Sequence, residues 1–265
     1  MPRRPLDAEL VRRGLAGSRA EAQDVVRAGL VTVGGTPATK AATMVAEDVA
    51  VDLVRPTRRF VSRGGDKLDA ALDRFGIDPA GLECLDAGAS TGGFTHRLLQ
   101  GGAAHVTAVD VGYGQLAWAL RNDDRVTVLE RTNVRMLGSA DLRAAPELVV
   151  ADLSFISIRS VIAALAEVSS PAAVFVVLVK PQFEARPADV ARGGVVRDPG
   201  VWRRVLGDVV DAFAAATVAP QDLMTSPVIG PAGNVEFFLH GRRGGSPRPI
   251  DLDVVVAEAA EVGSS

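Results

Sequence analysis

The sequence predicts an α/β protein: a Rossmann-like, doubly wound sheet with a small α+β module ahead of it. Three observations predict this. From Glu83 onward, short apolar runs alternate with amphipathic stretches, as parallel strands joined by crossover helices do. A glycine-rich turn, Asp86 to Gly93, follows the first of these runs, and Asp110 closes the next, as in a nucleotide-binding βαβ unit. Finally, residues 1–63 carry 11 Lys and Arg against 7 Asp and Glu, while the remaining 202 carry 18 against 25. A net +4 end joined to a net −7 body suggests an appendage that binds nucleic acid.

The 265 residues allow one large domain and a small one. With 48% hydrophobic and 23% charged residues, disorder is excluded. One Cys and three scattered His leave no disulfide framework and no metal-ligand spacing, so no metal is expected. No apolar run approaches the ~18 residues of a membrane span, and the first residues lack the apolar core of a secretion signal. A cytoplasmic, monomeric protein is expected.

The elements follow in order. Leu6, Leu10 and Val11 give a helix over 6–13. Ser18, with Glu21 three residues on, caps a second helix running to Ala28. Leu30 to Val33 reads as a strand, Gly34-Gly35 as a turn, and Val45 to Leu53 ends in strand-like alternation. The first domain is therefore set at 1–54. Residues 55–65, with one Pro, two Gly and four Arg, read as a linker, and 66–265 as the second domain. There, a helix is expected over 66–75, then a strand ending at Asp86 and a helix over 93–100. A strand over 106–110, a helix over 115–122 and strands over 126–130 and 148–152 come next. A helix over 157–168, a strand over 174–180, a helix over 202–216 and strands over 222–228 and 235–240 complete the pattern.

Ligands of such sheets lie at the carboxyl ends of the strands. Asp86, Gly88, Ala89, Ser90, Thr91 and Gly92 are the candidate cofactor loop, and Asp110 the carboxylate for ribose hydroxyls. NAD and S-adenosylmethionine share this layout. Ser90 occupies the position where a pyrophosphate calls for glycine, which favours S-adenosylmethionine over NAD.

The chemistry narrows by elimination. Asp152-Leu153-Ser154-Phe155 lacks the amide and prolines usual for methylation of exocyclic amines. Cys84, inside a strand, reads as a buried structural thiol rather than a nucleophile. A hydroxyl acceptor needs only a group that takes or steers its proton. Asp152 and Lys180 at strand ends, Lys67 on the helix leading into the domain and Glu236 on the last strand supply two amines and two carboxylates; structural ion pairs are the alternative. Only three of the 29 basic residues are Lys: Lys40, Lys67 and Lys180. Arg serves where charge suffices but cannot give up its proton at accessible pH.

Six segments together resemble the TlyA family of ribosomal RNA 2′-O-methyltransferases, also labelled haemolysins. They are Val61 to Leu68, Leu85 to Phe94, Asp110 to Leu116, Ala151 to Ser157, Val179 to Glu184 and Gly233 to Glu236. The resemblance implies an S4 RNA-binding domain followed by an FtsJ-like methyltransferase domain of the S-adenosylmethionine class. It implies that Lys67, Asp152, Lys180 and Glu236 form a catalytic Lys-Asp-Lys-Glu tetrad. It also implies methylation of cytidine in the RNA of one or both ribosomal subunits, and a bearing on capreomycin sensitivity. Arg3, Arg4, Arg19, Lys40, Arg59 and Arg63 are then the candidate RNA contacts. Where mycobacterial members read Arg-Ala-Trp-Val, this chain has Arg58-Arg59-Phe60-Val61. An RNA-binding assembly factor with an inactive methyltransferase domain and a membrane-active haemolysin are the other readings. The first would have lost glycines or tetrad residues, and all are present; the second would need a membrane-directed segment.

Overall fold

A computed structural model of the chain describes residues 3–27, 29–53 and 59–263. Two compact units divide between Arg58 and Arg59.

The first unit runs β1 (Arg3–Pro5), α1 (Leu6–Arg12), α2 (Arg19–Arg27), β2 (Val31–Val33), β3 (Thr36–Pro37), β4 (Met44–Ala46) and β5 (Val51–Leu53). β1 pairs antiparallel with β4, and β2 lies between β3 and β5. Its core is Leu6, Leu10, Ala22, Val26, Val31, Val45 and Val51. The start of α2 is fixed from both sides. The Glu21 N–H donates to Ser18 Oγ at 3.2 Å, and Glu21 Oε2 accepts from the Gly17 N–H at 2.7 Å. Ala28, the expected helix end, lies outside the described residues. β1 was not expected, because its basic, proline-bounded sequence has no apolar alternation.

The second unit runs α3 (Arg63–Phe75), β6 (Glu83–Ala87), α4 (Gly93–Gln100), β7 (His105–Val109), α5 (Trp118–Arg121), β8 (Val126–Leu129), β9 (Leu148–Ala151), α6 (Ile162–Val168), β10 (Val174–Val179), α7 (Pro181–Glu184), α8 (Pro199–Ala215), β11 (Val218–Thr225), β12 (Phe237–Arg243) and α9 (Leu252–Val262). Its seven-stranded sheet has the order β11-β12-β10-β9-β6-β7-β8. β10 to β8 are parallel along that order, while β12 runs antiparallel to both β10 and β11. Strand residues alternate between two cores. Leu85, Val149, Phe175 and Val177 face α6, α8 and α9, whereas Cys84, Val106, Val150 and Val176 face α3 and α4. Burial on both faces explains why these strands read as continuous apolar runs. Leu68, Leu72 and Leu98 are fully buried, each worth about 1.5–3 kcal/mol in transfer from water.

Two segments differ from the sequence expectation. Of the expected linker, 55–58 lie outside the described residues, while 59–65 pack within the second unit. Phe60 is buried, and α3 begins at Arg63, with Ser62 Oγ capping the Gly64 N–H at 3.3 Å. A Cβ on Gly65 would come within 2.2 Å of Phe60, so glycine here is a packing requirement rather than a linker signal. The helix expected over 115–122 shrinks to Trp118–Arg121, because the Ala117 N–H bonds to the Thr91 carbonyl and Gln115 turns to Ser90 Oγ. Tertiary contacts with the glycine loop override local helical pattern there. At the opposite end of the chain, α9 had no counterpart in the expected elements.

Candidate active site

β6 ends at Ala87, and the chain turns sharply through Gly88 and Ser90, both with positive φ, into α4. A Cβ on Gly88 would approach the Asp152 carbonyl oxygen to 2.5 Å, so the turn needs glycine to pass beside the end of β9. Beyond the turn lies a cleft of about 590 Å³, within the usual range for small-ligand sites. Gly88, Ser90, Asp110 and Asp152 line it together with Val109, Val134, Leu153 and Ile156. Ala89, Thr91 and Gly92 of the candidate loop do not line it, and neither does Asp86.

Asp110 serves the loop directly. Its Oδ2 accepts from the Ser90 N–H at 2.8 Å and its Oδ1 from the Gly112 N–H at 2.6 Å. Asp86 lies fully buried beneath the turn. Its Oδ2 accepts from the Thr95 hydroxyl at 2.6 Å, while Oδ1 has no hydrogen-bond partner. Burial pushes its carboxyl up to about 7, and the Thr95 hydroxyl opposes that shift. Among the described residues, the cleft lining carries carboxylates and amides but no Lys, Arg or His. That lining suits a nucleoside with a cationic tail and supplies no side-chain cation to a pyrophosphate, so the residues present fit S-adenosylmethionine.

A second cleft, of about 390 Å³, is lined by Lys180, Gln182, Phe183, Asn234 and Glu236 among others. Ser154 and Phe155 belong to both clefts. The four charged residues singled out from the sequence form two pairs. Lys180 Nζ lies 2.6 Å from Asp152 Oδ1, an ion pair poorly angled for a hydrogen bond, and donates to Ser154 Oγ at 3.0 Å. Lys67 Nζ, on α3, donates to Glu236 Oε2 at 2.5 Å, and both residues are buried. A Cβ on Gly230 would come within 2.6 Å of Glu236 Oε1, so the turn before β12 closes tightly on that carboxylate. Asp152 faces the larger cleft, Glu236 the smaller, and Lys180 stands between them.

Sequence reasoning missed Phe155. It is 91% exposed, holds φ at +64°, and its ring lies 5.2 Å from that of Phe183. An exposed aromatic in a backbone region costly for non-glycine residues is the signal that the local structure constrains it. No periodic pattern reports such a residue. Cys84 is buried, and burial raises its thiol to about 12, which leaves no thiolate nucleophile. Among the described residues, no group of three His, Cys, Asp or Glu is placed to hold a metal ion.

The candidate RNA contacts are spread over both units. Arg3, Arg4, Arg19, Lys40, Arg59 and Arg63 are exposed. Arg19 forks onto buried Asp7 at 2.9 Å, and Arg4 approaches buried Glu9 at 3.8 Å. Hydrogen bonds from Arg12 and Arg13 draw Glu9 down to about 2. In the second unit, Arg59 pairs with Asp69 and lies 4.9 Å over the Phe60 ring.

Comparison with known proteins matches both units. Residues 60–243 match the FtsJ-like methyltransferase family, and residues 4–51 the S4 domain. The chain is 52% identical over 235 residues to the 16S/23S rRNA (cytidine-2′-O)-methyltransferase TlyA of Mycobacterium tuberculosis, covering 88% of each protein. Hemolysin A of Brachyspira hyodysenteriae is 36% identical over 236 residues, covering 89% of this chain and 98% of that protein. A solved structure from Streptococcus thermophilus, also named for a hemolysin, superposes with a TM-score of 0.78 at 36% identity, covering 100% of this chain and 98% of the other.

Proposed function

The chain belongs to the FtsJ-like methyltransferase family, and from that premise we propose that it methylates the 2′-hydroxyl of a cytidine in ribosomal RNA, with S-adenosylmethionine as donor. The observation that carries the chemical reading is Lys180, paired with Asp152 and standing where the two clefts share a wall.

When bound, S-adenosylmethionine supplies an electrophilic methyl group on a sulfonium. Gly88, Ser90 and Asp110 would hold it, with the carboxylates matching its positive charge and ribose hydroxyls. The acceptor ribose enters the smaller cleft, which requires its nucleotide to leave the helical stack. Lys180, once its ammonium has released a proton to solvent, would take the 2′-hydroxyl proton at Nζ and free the ribose oxygen to accept the methyl group. Asp152 would balance the ammonium re-formed on Lys180. Glu236, held by Lys67, borders the acceptor space and orients the ribose. Much of the acceleration comes from alignment of oxygen, carbon and sulfur.

The S4 unit recruits the RNA through Arg3, Arg4, Arg19 and Lys40, and Arg59 and Arg63 contribute from the second unit. Among the described residues no helix is long and apolar enough to cross a membrane, and α2 spends its apolar side, Ala22 and Val26, on the core of its own unit. Ribosomal subunits incubated with the protein and S-adenosylmethionine, then digested and read by mass spectrometry, should gain a methyl group on a cytidine ribose. A methyl group on a base, or none on RNA, would overturn the reading.

A further inference from the structure

We infer that Glu184, a buried carboxylate at the end of α7, is a positioning residue that holds the wall shared by the two clefts, and so sets both cofactor affinity and the rate of methyl transfer. The inference rests on the proposed reaction and adds a residue to which that reaction assigns no role.

The wall is the loop after β9, from Leu153 to Ile156, of which Ser154 and Phe155 border both clefts. Leu153 and Ile156 anchor its two ends against the core, while Ser154 and Phe155 between them are exposed and Phe155 holds a positive φ, so the exposed middle has no apolar burial of its own. It is held by the segment that follows β10. Lys180 Nζ donates to Ser154 Oγ, the Phe183 ring packs against Phe155, and Glu184 closes the far end. Glu184 Oε2 accepts from the Ser157 hydroxyl at 2.5 Å and its Oε1 from the Ile158 N–H at 2.6 Å. Arg159 adds Nε to Oε2 at 3.1 Å, a second bond to the Glu184 carbonyl at 2.9 Å, and a link to Asp208 of α8 at 3.3 Å.

Glu184 is only 7% exposed, and burying a carboxylate is costly unless donors surround it. Here three donors from 157–159 converge on its two oxygens. Fixing that turn fixes the residues just before it, because only two peptide units separate Phe155 from Ser157. Asp152 and Lys180 begin the two clamped segments, and Ser157 and Glu184 end them. Displacement at the Glu184 end would therefore change the wall seen by the cofactor and the distance from Lys180 to the acceptor.

The test uses the full chain with Glu184→Gln, which keeps an oxygen for the Ile158 N–H but removes the charge facing Arg159. Cofactor affinity is read by titration calorimetry without RNA, and the single-turnover rate with saturating subunits and cofactor. The variant should bind S-adenosylmethionine 3- to 10-fold more weakly and transfer methyl at least 10-fold more slowly per titrated site. A contribution to folding alone would lower the fraction of sites that titrate while leaving affinity and rate per site at the wild-type values; that result would overturn the inference. Should Glu184→Gln fail to fold, Ser157→Ala removes one donor only and should show the same losses at two- to fivefold, with unchanged values again the contrary outcome. If the wild-type protein bound cofactor but methylated no ribosomal RNA, the proposed reaction would fail, and the cofactor-affinity arm alone would decide the role of Glu184.

Discussion

In the ion pairs assigned to recognition and to reaction, the two units place charge differently. In the first, the carboxylates Asp7 and Glu9 are buried and their arginine partners point outward: the Arg19 side chain is 63% exposed and that of Asp7 4%. In the second, the amines sit inside: the side chains of Lys67 and Glu236 are 8% and 1% exposed. The first arrangement fixes guanidinium groups on a surface, where they suit a polyanion. The second withholds charge from water at the edge of two clefts, where it suits a proton-transfer step. On the proposed function, the first unit carries most of the recognition, with Arg59 and Arg63 of the second adding to it, and the second unit carries the reaction.

Removing the first unit tests the separation most severely. Deletion of residues 1–58 should abolish methylation of ribosomal subunits and leave cofactor affinity nearly unchanged by calorimetry. Full activity of the truncated enzyme would remove the recruiting role. For the intact protein, RNA affinity should fall steeply as salt rises.

Next in size is the buried pair of the second unit. Glu236→Ala leaves Lys67 Nζ buried without its carboxylate, a change that costs about 3–5 kcal/mol in comparable pairs. Denaturant unfolding should show that loss. Lys40→Ala, at an exposed position of the first unit, should change stability by no more than about 0.5 kcal/mol by the same method while weakening RNA binding. Equal losses from the two would erase the contrast.

Asp110→Ala should weaken S-adenosylmethionine binding by roughly 1–3 kcal/mol. It removes a partner for ribose hydroxyls and also frees the Ser90 and Gly112 N–H groups that shape the loop. Unchanged affinity in calorimetry would remove Asp110 from the site.

The smallest expected effect is a pH slope. Burial raises the Asp86 carboxyl from 3.8 to about 7, so between those values the folded chain holds a proton that the unfolded chain has lost. Stability from this group is present at low pH and declines as pH rises through that window. Glu9 runs the other way: its carboxyl, held at about 2, contributes stability above the ordinary value that is lost as pH falls. Melting curves of Asp86→Asn should show a flatter decline from pH 4 to 7 than wild type. An unchanged slope would show that Asp86 does not carry it.

How much of this was legible in the sequence depends on the range of the interaction. The strands of the large sheet and helices α3 and α8 were legible, because Phe175 and Val177 or Leu68 and Leu72 repeat at fixed periods and bury together, whereas β1 and α9 were not. The glycine turn was legible because its glycines cluster directly after a strand, although the contact that demands Gly88 comes from Asp152 on another strand end. Residues 59–65 were not, since their Arg and Gly content reads as linker while the burial of Phe60 depends on packing against Gly65 and His96. Lys67 and Glu236 stand 169 residues apart and no local pattern joins them; the residues alone left structural ion pairs open, and the family resemblance implied that they act together. Glu184 and Phe155 were missed for the same reason, for their partners come from a neighbouring strand end 26 to 28 positions away.

Lys180→Arg tests the division between recognition and reaction most directly. The substitution preserves positive charge beside Asp152 but supplies a group that cannot release a proton at accessible pH. Single-turnover methylation, with RNA and cofactor both saturating, should slow on the order of 10²-fold or more, while binding of both changes little. Near wild-type turnover by Lys180→Arg would show that the residue acts only as a charge, and would contradict the assignment of the reacting proton to it.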